Sequence, residues 1–226
     1  MTTNPIIIDI VSDVVCPWCW YGKKQLDRAL EQHPDLEVQI NWHPYMLDPT
    51  VPAEGVPYNE YMRKKFGGGP SNRFKAMREH LEAGAGPLGI TFRFDDIPIR
   101  PNTLKAHCLM KWAQGQGKGH AMSEHLFRAF FDEHKNVGDT DTLADIAREV
   151  DMDGDLVKDL LDTARDVKSI QAELEYFAKL GIAGVPFFIY NGRFSVQGGQ
   201  PAEVHAQALE KAQTLPSKDV MSLMDN

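Results

Sequence analysis

The 226 residues include three cysteines, and two of them, Cys16 and Cys19, stand three positions apart. That spacing brings two sulfurs together within one helical turn, so the pair can alternate between dithiol and disulfide. Pro17 follows Cys16 and fits a first helical turn, where its missing N–H costs nothing, and it stiffens the ring that closes when the sulfurs join. The first turn of a helix offers unpaired N–H groups and a positive dipole end, both of which favour a thiolate. Cys16, at the edge of such a helix, is therefore expected to have a lowered pKa and to act as nucleophile, with Cys19 as the more buried resolving thiol. Trp18 and Trp20 offer an apolar lip for a docking substrate, and for Trp20 core packing fits equally well. Asp13 either opposes the helix end by raising a nearby thiol pKa or simply terminates the strand, and both readings stand.

Other patterns compete for attention and carry less. A closed structural zinc site needs four ligands, and the pair Cys16 and Cys19 has no second pair to complete one, so no metal is expected. Cys108 lies in a helical run with Leu104, Leu109 and Trp112, the usual setting of a buried structural thiol. The acidic run Asp151, Asp153, Asp155 resembles a calcium loop, but Leu156 stands where the loop requires Gly and Asp162 where it requires Glu. A capped helix start fits better. His120, His125 and His134 share one helical stretch without an HExxH pattern and read as surface histidines. Gly67-Gly68-Gly69-Pro70 lacks the Lys-Ser/Thr ending of a phosphate loop and reads as a flexible link.

The elements that must position the cysteines follow from periodicity. Ile6 to Asp13 is an apolar, β-branched run suited to a strand buried on both faces. A helix is expected from Cys16-Pro17 to about His33, with Gly22, Leu26, Ala29 and Leu30 inward and Lys23, Lys24, Asp27, Arg28 and Glu31 largely outward. A second strand, about Glu37 to Tyr45, completes a βαβ unit with a parallel pair. From Pro57 to Gly181 helical periods dominate, with start signals at Ser71, Asn102, Asp139 and Asp153. Thr91 to Phe94 reads as a short strand or an extended loop. Strand character then returns: Pro186 to Tyr190, the hairpin turn Asn191-Gly192, and Arg193 to Gln197. A helix over about Pro201 to Thr214 follows, and the tail after Pro216 is expected to fray. With the middle removed, the order is β-α-β then β-β-α, an α/β class. This is a thioredoxin-like fold carrying a large all-helical insertion, in the division 1–56, 57–180 and 181–226.

Composition narrows the partners. The formal net charge is −8, with no basic stripe, which argues against a nucleic-acid binder held by phosphate contacts. No stretch approaches the roughly 20 apolar residues of a membrane span. Ile6-Ile7-Ile8 is too short for a signal peptide and lacks a preceding Lys or Arg, so a cytoplasmic protein is expected.

The chain resembles the DsbA family, and within it the FrnE-like subfamily, over nearly its whole length. The resemblance is carried by Ser12 to Lys23, by Arg100-Pro101-Asn102-Thr103 with Ala106-His107, and by Leu126 to Phe131. It continues in Gly181 to Phe188 and in Gln197-Gly198-Gly199-Gln200-Pro201. Gly199 stands where many relatives have alanine, and Trp20 where many have tyrosine. The resemblance implies disulfide exchange through Cys16 and Cys19, a cis bond at Pro186, and a role for Val185 in docking the substrate backbone. Pro17 and Trp18 complete the expected substrate contacts. Implied partners are protein or small-molecule thiols and disulfides, with no cofactor required and glutathione as a possible co-substrate. In a reducing cytosol the resting dithiol favours reductase or isomerase work. The same clan contains glutathione-dependent isomerases similar to 2-hydroxychromene-2-carboxylate isomerase and kappa-class glutathione transferases. Those generally carry serine at the position of Cys16, so they form a second reading. A redox-inert binding module is a third.

Overall fold

The computed structural model describes residues 5–67 and 72–221. Strand β1 (Ile6–Ser12) forms the middle of a four-stranded sheet with β2 (Val38–Pro44), β5 (Phe187–Tyr190) and β6 (Phe194–Gln197). The order is β2-β1-β5-β6, with β1 parallel to β2 and antiparallel to β5, and β5 antiparallel to β6. The parallel pair is the product of the crossover helix α1 (Pro17–Glu31). Alternation along β1 sends Ile8 and Ile10 to one face, in the same apolar cluster as Leu26 of α1 and Leu209 of the last helix, α9 (Ala202–Gln213). Val11 faces the other way, in a smaller cluster with Phe177, Ile182 and Val220.

Between β2 and β5 come β3 (Val56–Pro57), α2 (Tyr58–Phe66), α3 (Asn72–Ala85), β4 (Ile99–Arg100), α4 (Leu104–Gly115) and α5 (Gly119–Phe131). Then follow α6 (Thr140–Glu149), α7 (Gly154–Asp162) and α8 (Val167–Lys179). The large apolar cluster runs without a break from β1 and α1 into these helices, so the cysteine-bearing helix and the inserted helices share one core. Amid the helices, β3 and β4 pair antiparallel through Val56–Arg100 and Pro57–Ile99, which ties the start of α2 to the loop before α4. Thr91 to Arg93 is irregular and leads into a 3₁₀ turn over Phe94–Asp96. No helix among the described residues is long and apolar enough to cross a membrane.

The local signals behave as their chemistry requires, with three corrections. Asp139 and Asp153 cap α6 and α7 by accepting the N–H groups of Thr142 and of Asp155 and Leu156. Asn102 sits one residue earlier than a cap and accepts the Leu104 N–H, while Ser71 and Gly68 to Pro70 lie outside the described residues. Asn191 and Gly192 both adopt positive φ (51° and 61°), the geometry of a two-residue hairpin turn. The first correction concerns Lys23. It is buried against the outward expectation, because α5 covers it and supplies Glu124 at 3.1 Å beside Asp27 at 2.7 Å. The second is the stretch after Pro216, which as far as Met221 is pinned rather than frayed, while 222–226 lie outside the described residues. Lys218 donates its N–H to the Asn191 carbonyl (2.9 Å), the Tyr176 hydroxyl donates to the Val220 carbonyl, and Val220 is buried. The third concerns the supposed surface histidines: His120 and His125 are partly covered and pair with Asp27 and Glu149, each at 2.7 Å.

Candidate active site

Cys16 is the N-cap of α1, in extended conformation (φ −95°, ψ 113°), where β1 ends and the helix begins. Its backbone carbonyl accepts the Cys19 N–H at 3.0 Å, closing the first turn around Pro17 and Trp18. Both cysteines are free thiols, and both are buried, Cys16 to 4% exposure and Cys19 to 1%. The Cys16 Sγ faces the Val185 carbonyl at 3.8 Å, and the Val185–Pro186 peptide bond is cis. Burial pushes the Cys19 thiol well above its ordinary pKa, and the adjacent Cys16 sulfur adds to the rise. The Ser12 hydroxyl and the Asp13 backbone favour its thiolate without offsetting that cost.

The contact between Cys16 and Val185, 169 positions apart, depends on how closely α1 approaches β5. Gly22 provides that approach. A Cβ there would stand 3.1 Å from both Pro186 Cγ and Phe188 Cζ. Gly198 donates its N–H to the Pro186 carbonyl at 2.8 Å and holds the loop from the other side. Gly199 has a comparable place beside Trp18, where a Cβ would lie 3.0 Å from the indole. Trp18 itself is half-buried, edge-on to Tyr21 at 5.8 Å between ring centroids. Trp20 belongs to the core, stacked on Phe127 and Phe131, so the lip over the sulfurs is Trp18 alone.

Behind the cysteines lies a buried ionic group that periodicity does not reveal. Asp13 is wholly buried and ionised. Burial works against its charge and is outweighed by His107 and Arg100, whose nitrogens lie 3.7 and 3.8 Å away, and by the Leu47 N–H at 2.8 Å. The His107 Nε2 also meets the Tyr45 carbonyl at 2.9 Å. The Asp13 backbone takes part as well: its carbonyl accepts the Cys16 N–H at 3.0 Å. The carboxylate thus anchors the loop that delivers Cys16, and its charge is answered locally.

In front of Cys16 opens a groove of about 220 Å³. Its wall is α2, where Tyr58, Tyr61, Met62, Lys65 and Phe66 recur at helical spacing on the face toward the sulfurs. Cys16, Pro17, Trp18 and Val185 line the opposite side. Pro186 lies behind Val185 against α1 and is not part of the lining. Of the residues singled out from the sequence, Cys16, Pro17, Trp18 and Val185 thus line the groove, while the α2 wall was missed, although the stripe was readable as an amphipathic face. Cys108, in mid-α4, touches none of this. Its thiol is pushed up to about 11 by burial and by the Asp166 carboxylate.

A dithiol at a strand–helix junction, opposite a cis proline and under a helical cover, belongs to a protein of DsbA-like thioredoxin fold. The chain belongs to the DSBA-like thioredoxin domain family, whose pattern it matches over residues 7–210. It is 30% identical over 208 residues to the uncharacterised protein YwbO of Bacillus subtilis (strain 168), covering 91% of this chain and 96% of that one. Among solved structures, a probable DsbA oxidoreductase, SCO1869 of Streptomyces coelicolor, superposes with a TM-score of 0.83. It is 29% identical and covers 95% of this chain and 94% of its own. The cytosolic disulfide reductase DsbM of Pseudomonas aeruginosa, solved with GSH, shares the fold at 17% identity and a TM-score of 0.66, covering 92% and 100%.

Proposed function

We propose that the protein is a dithiol–disulfide oxidoreductase of FrnE-like type, working in the cytoplasm as a reductase or isomerase of protein or small-molecule disulfides. Cys16 attacks a substrate disulfide, releasing one thiol and forming a mixed disulfide. Cys19 then attacks Cys16, releases the second thiol and leaves the Cys16–Cys19 disulfide. The observation that carries this reading is the asymmetry of the two sulfurs. Cys16 lies at the helix start and lines the groove, while Cys19 sits one turn behind it with its proton firmly held. On this reading Pro17 and Trp18 form the near edge of the substrate site, and Val185, beside the cis bond to Pro186, docks the substrate backbone. Glutathione fits as a co-substrate, in keeping with the structural neighbour solved with GSH. The cytosolic setting of that neighbour is in keeping with a reducing compartment.

The test is a Cys19→Ala variant, which leaves the mixed disulfide unresolved. It is expected to accumulate covalent adducts at Cys16, identifiable by mass spectrometry and reversed by dithiothreitol. Absence of adducts, or adducts at Cys108 instead, overturns the proposal. Glutathione-dependent turnover of a small aromatic substrate that survives Cys19→Ala would favour the isomerase reading, which the apolar wall of α2 can also accommodate.

A further inference from the structure

The chain is acidic overall, yet the groove over Cys16 is not. Among the described residues lining it, two are cationic, Lys65 and Arg100, and none is a carboxylate. The two cations have different surroundings. Arg100 is buried, with Asp13 3.8 Å behind it, so its charge is largely answered from within. Lys65 is exposed and occupies a position of the groove-facing stripe of α2 that its neighbours Tyr58, Tyr61, Met62 and Phe66 fill with apolar or aromatic side chains. Its ammonium group donates to the Tyr61 hydroxyl at 2.8 Å and stands 5.3 Å from the centre of that ring.

Favourable placement of cations at a helix C-terminus explains Arg63 and Lys64 without any ligand. It does not explain why a cation, Lys65, lines the groove that also exposes Cys16. Asp48 lies beyond Tyr61, feels the charge of Lys65, and is engaged by the Thr50 N–H (3.0 Å), the Thr50 hydroxyl (2.5 Å) and the Tyr61 hydroxyl (3.0 Å). It weakens the field of Lys65 without forming an ion pair with it. Apolar walls on either side concentrate that field over Cys16.

We propose that the groove selects disulfides bearing a carboxylate beside the reacting sulfur, and that Lys65 is the residue that confers this preference. The inference rests on the disulfide-exchange reading above and names its substrate class. The chemistry is unchanged by it. The substrate disulfide takes two electrons from the dithiol and leaves as two thiols, which carry away the two protons of Cys16 and Cys19. Lys65 acts on binding and on the encounter, not on the sulfurs.

The test uses the pre-reduced protein in single-turnover oxidation, followed by tryptophan fluorescence. Three disulfides of similar size serve as probes: dithiodiglycolate (anionic), bis(2-hydroxyethyl) disulfide (neutral) and cystamine (cationic). Each rate is divided by that of dithiothreitol with the same disulfide, which removes intrinsic reactivity. The normalised rates are expected to fall in the order anionic, neutral, cationic. One unit charge at about 4 Å in water corresponds to about a fivefold effect on the rate with a singly charged probe arm, so Lys65→Gln should shrink the anion-to-neutral ratio by about that factor, the anion-to-cation ratio by about its square, and Lys65→Glu should shrink both by more. Raising ionic strength to about 0.5 M should shrink the ratio in the unmodified protein, because screening shortens the reach of the charge. Lys64→Gln removes the same charge outside the groove and should leave the ratio within about twofold. Charge-independent normalised rates overturn the inference, as does a Lys64 effect equal to that of Lys65. If none of the three disulfides oxidises the protein, it is the disulfide-exchange reading that fails.

Discussion

Cys16 and Cys108 are both free and both almost fully buried, at 4% and 1% exposure, yet only Cys16 borders open space, and of the two the proposed chemistry uses it alone. Cys108 sits in mid-helix, where every N–H is already paired, among apolar neighbours and near a carboxylate that further disfavours its thiolate. Cys16 sits where a helix begins, above an unfilled groove, with its backbone held by Asp13 and its sulfur across from Val185. Burial alone therefore does not separate a structural thiol from a reactive one. Position along the helix and the presence of open space on one side do.

The comparison can be broken most decisively by exchanging the sulfurs' roles. Cys16→Ser is expected to lower disulfide turnover by about a thousandfold or more, whereas Cys108→Ala should leave it within about twofold, measured by single-turnover oxidation. Asp13→Ala should come next. It leaves Arg100 buried without its carboxylate and frees the Leu47 N–H, at a cost of about 3–5 kcal/mol in denaturant unfolding. The equivalent loss around Cys108 has no such partner to strand. Gly22→Ala forces a Cβ to within 3.1 Å of Pro186 and Phe188, and the resulting overpacking should cost about 1–3 kcal/mol. It should also slow turnover several-fold by displacing Pro186 and its neighbour Val185.

The smallest effect is in pH dependence and sharpens the contrast from the side of Cys108. Its folded pKa, near 11, is above the unfolded value of about 8.5. The native state therefore holds its proton longer than the unfolded chain does. The associated stability is complete below about pH 8.5 and is lost as pH rises toward 11. Unfolding free energies measured between pH 8 and 11 should fall less steeply for Cys108→Ala than for the unmodified protein. An identical slope in the two would show that Cys108 is not the buried thiol described.

Much of this architecture was legible because it is local. The apolar run of β1, the Pro17 helix start, the caps at Asp139 and Asp153, and the Asn191-Gly192 turn each declare themselves within a few residues. What was not legible depends on distant segments meeting. Lys23 looks like a solvent-facing residue until α5 brings Glu124 to it. Asp13 could not be assigned from its neighbours because its partners, Arg100 and His107, arrive from β4 and α4. Those residues stood within recognisable motifs, but nothing in their own surroundings says that they converge on the cysteine loop. The stretch from Ser217 to Met221 reads as loose, and it is held by Asn191 and Tyr176, neither of which is near it in sequence.

The central claim is that Cys16 and Cys19 form one reversible two-electron couple and that Cys108 stands outside it. The direct measurement is equilibration of the protein across a series of glutathione buffers, followed by acid quench, alkylation and peptide mass mapping. The account predicts a single two-electron transition in which the Cys16–Cys19 disulfide appears and Cys108 remains a thiol at every poise. A disulfide or glutathione adduct on Cys108 within that transition, or a Cys16–Cys19 pair that never equilibrates with the buffer, would contradict it.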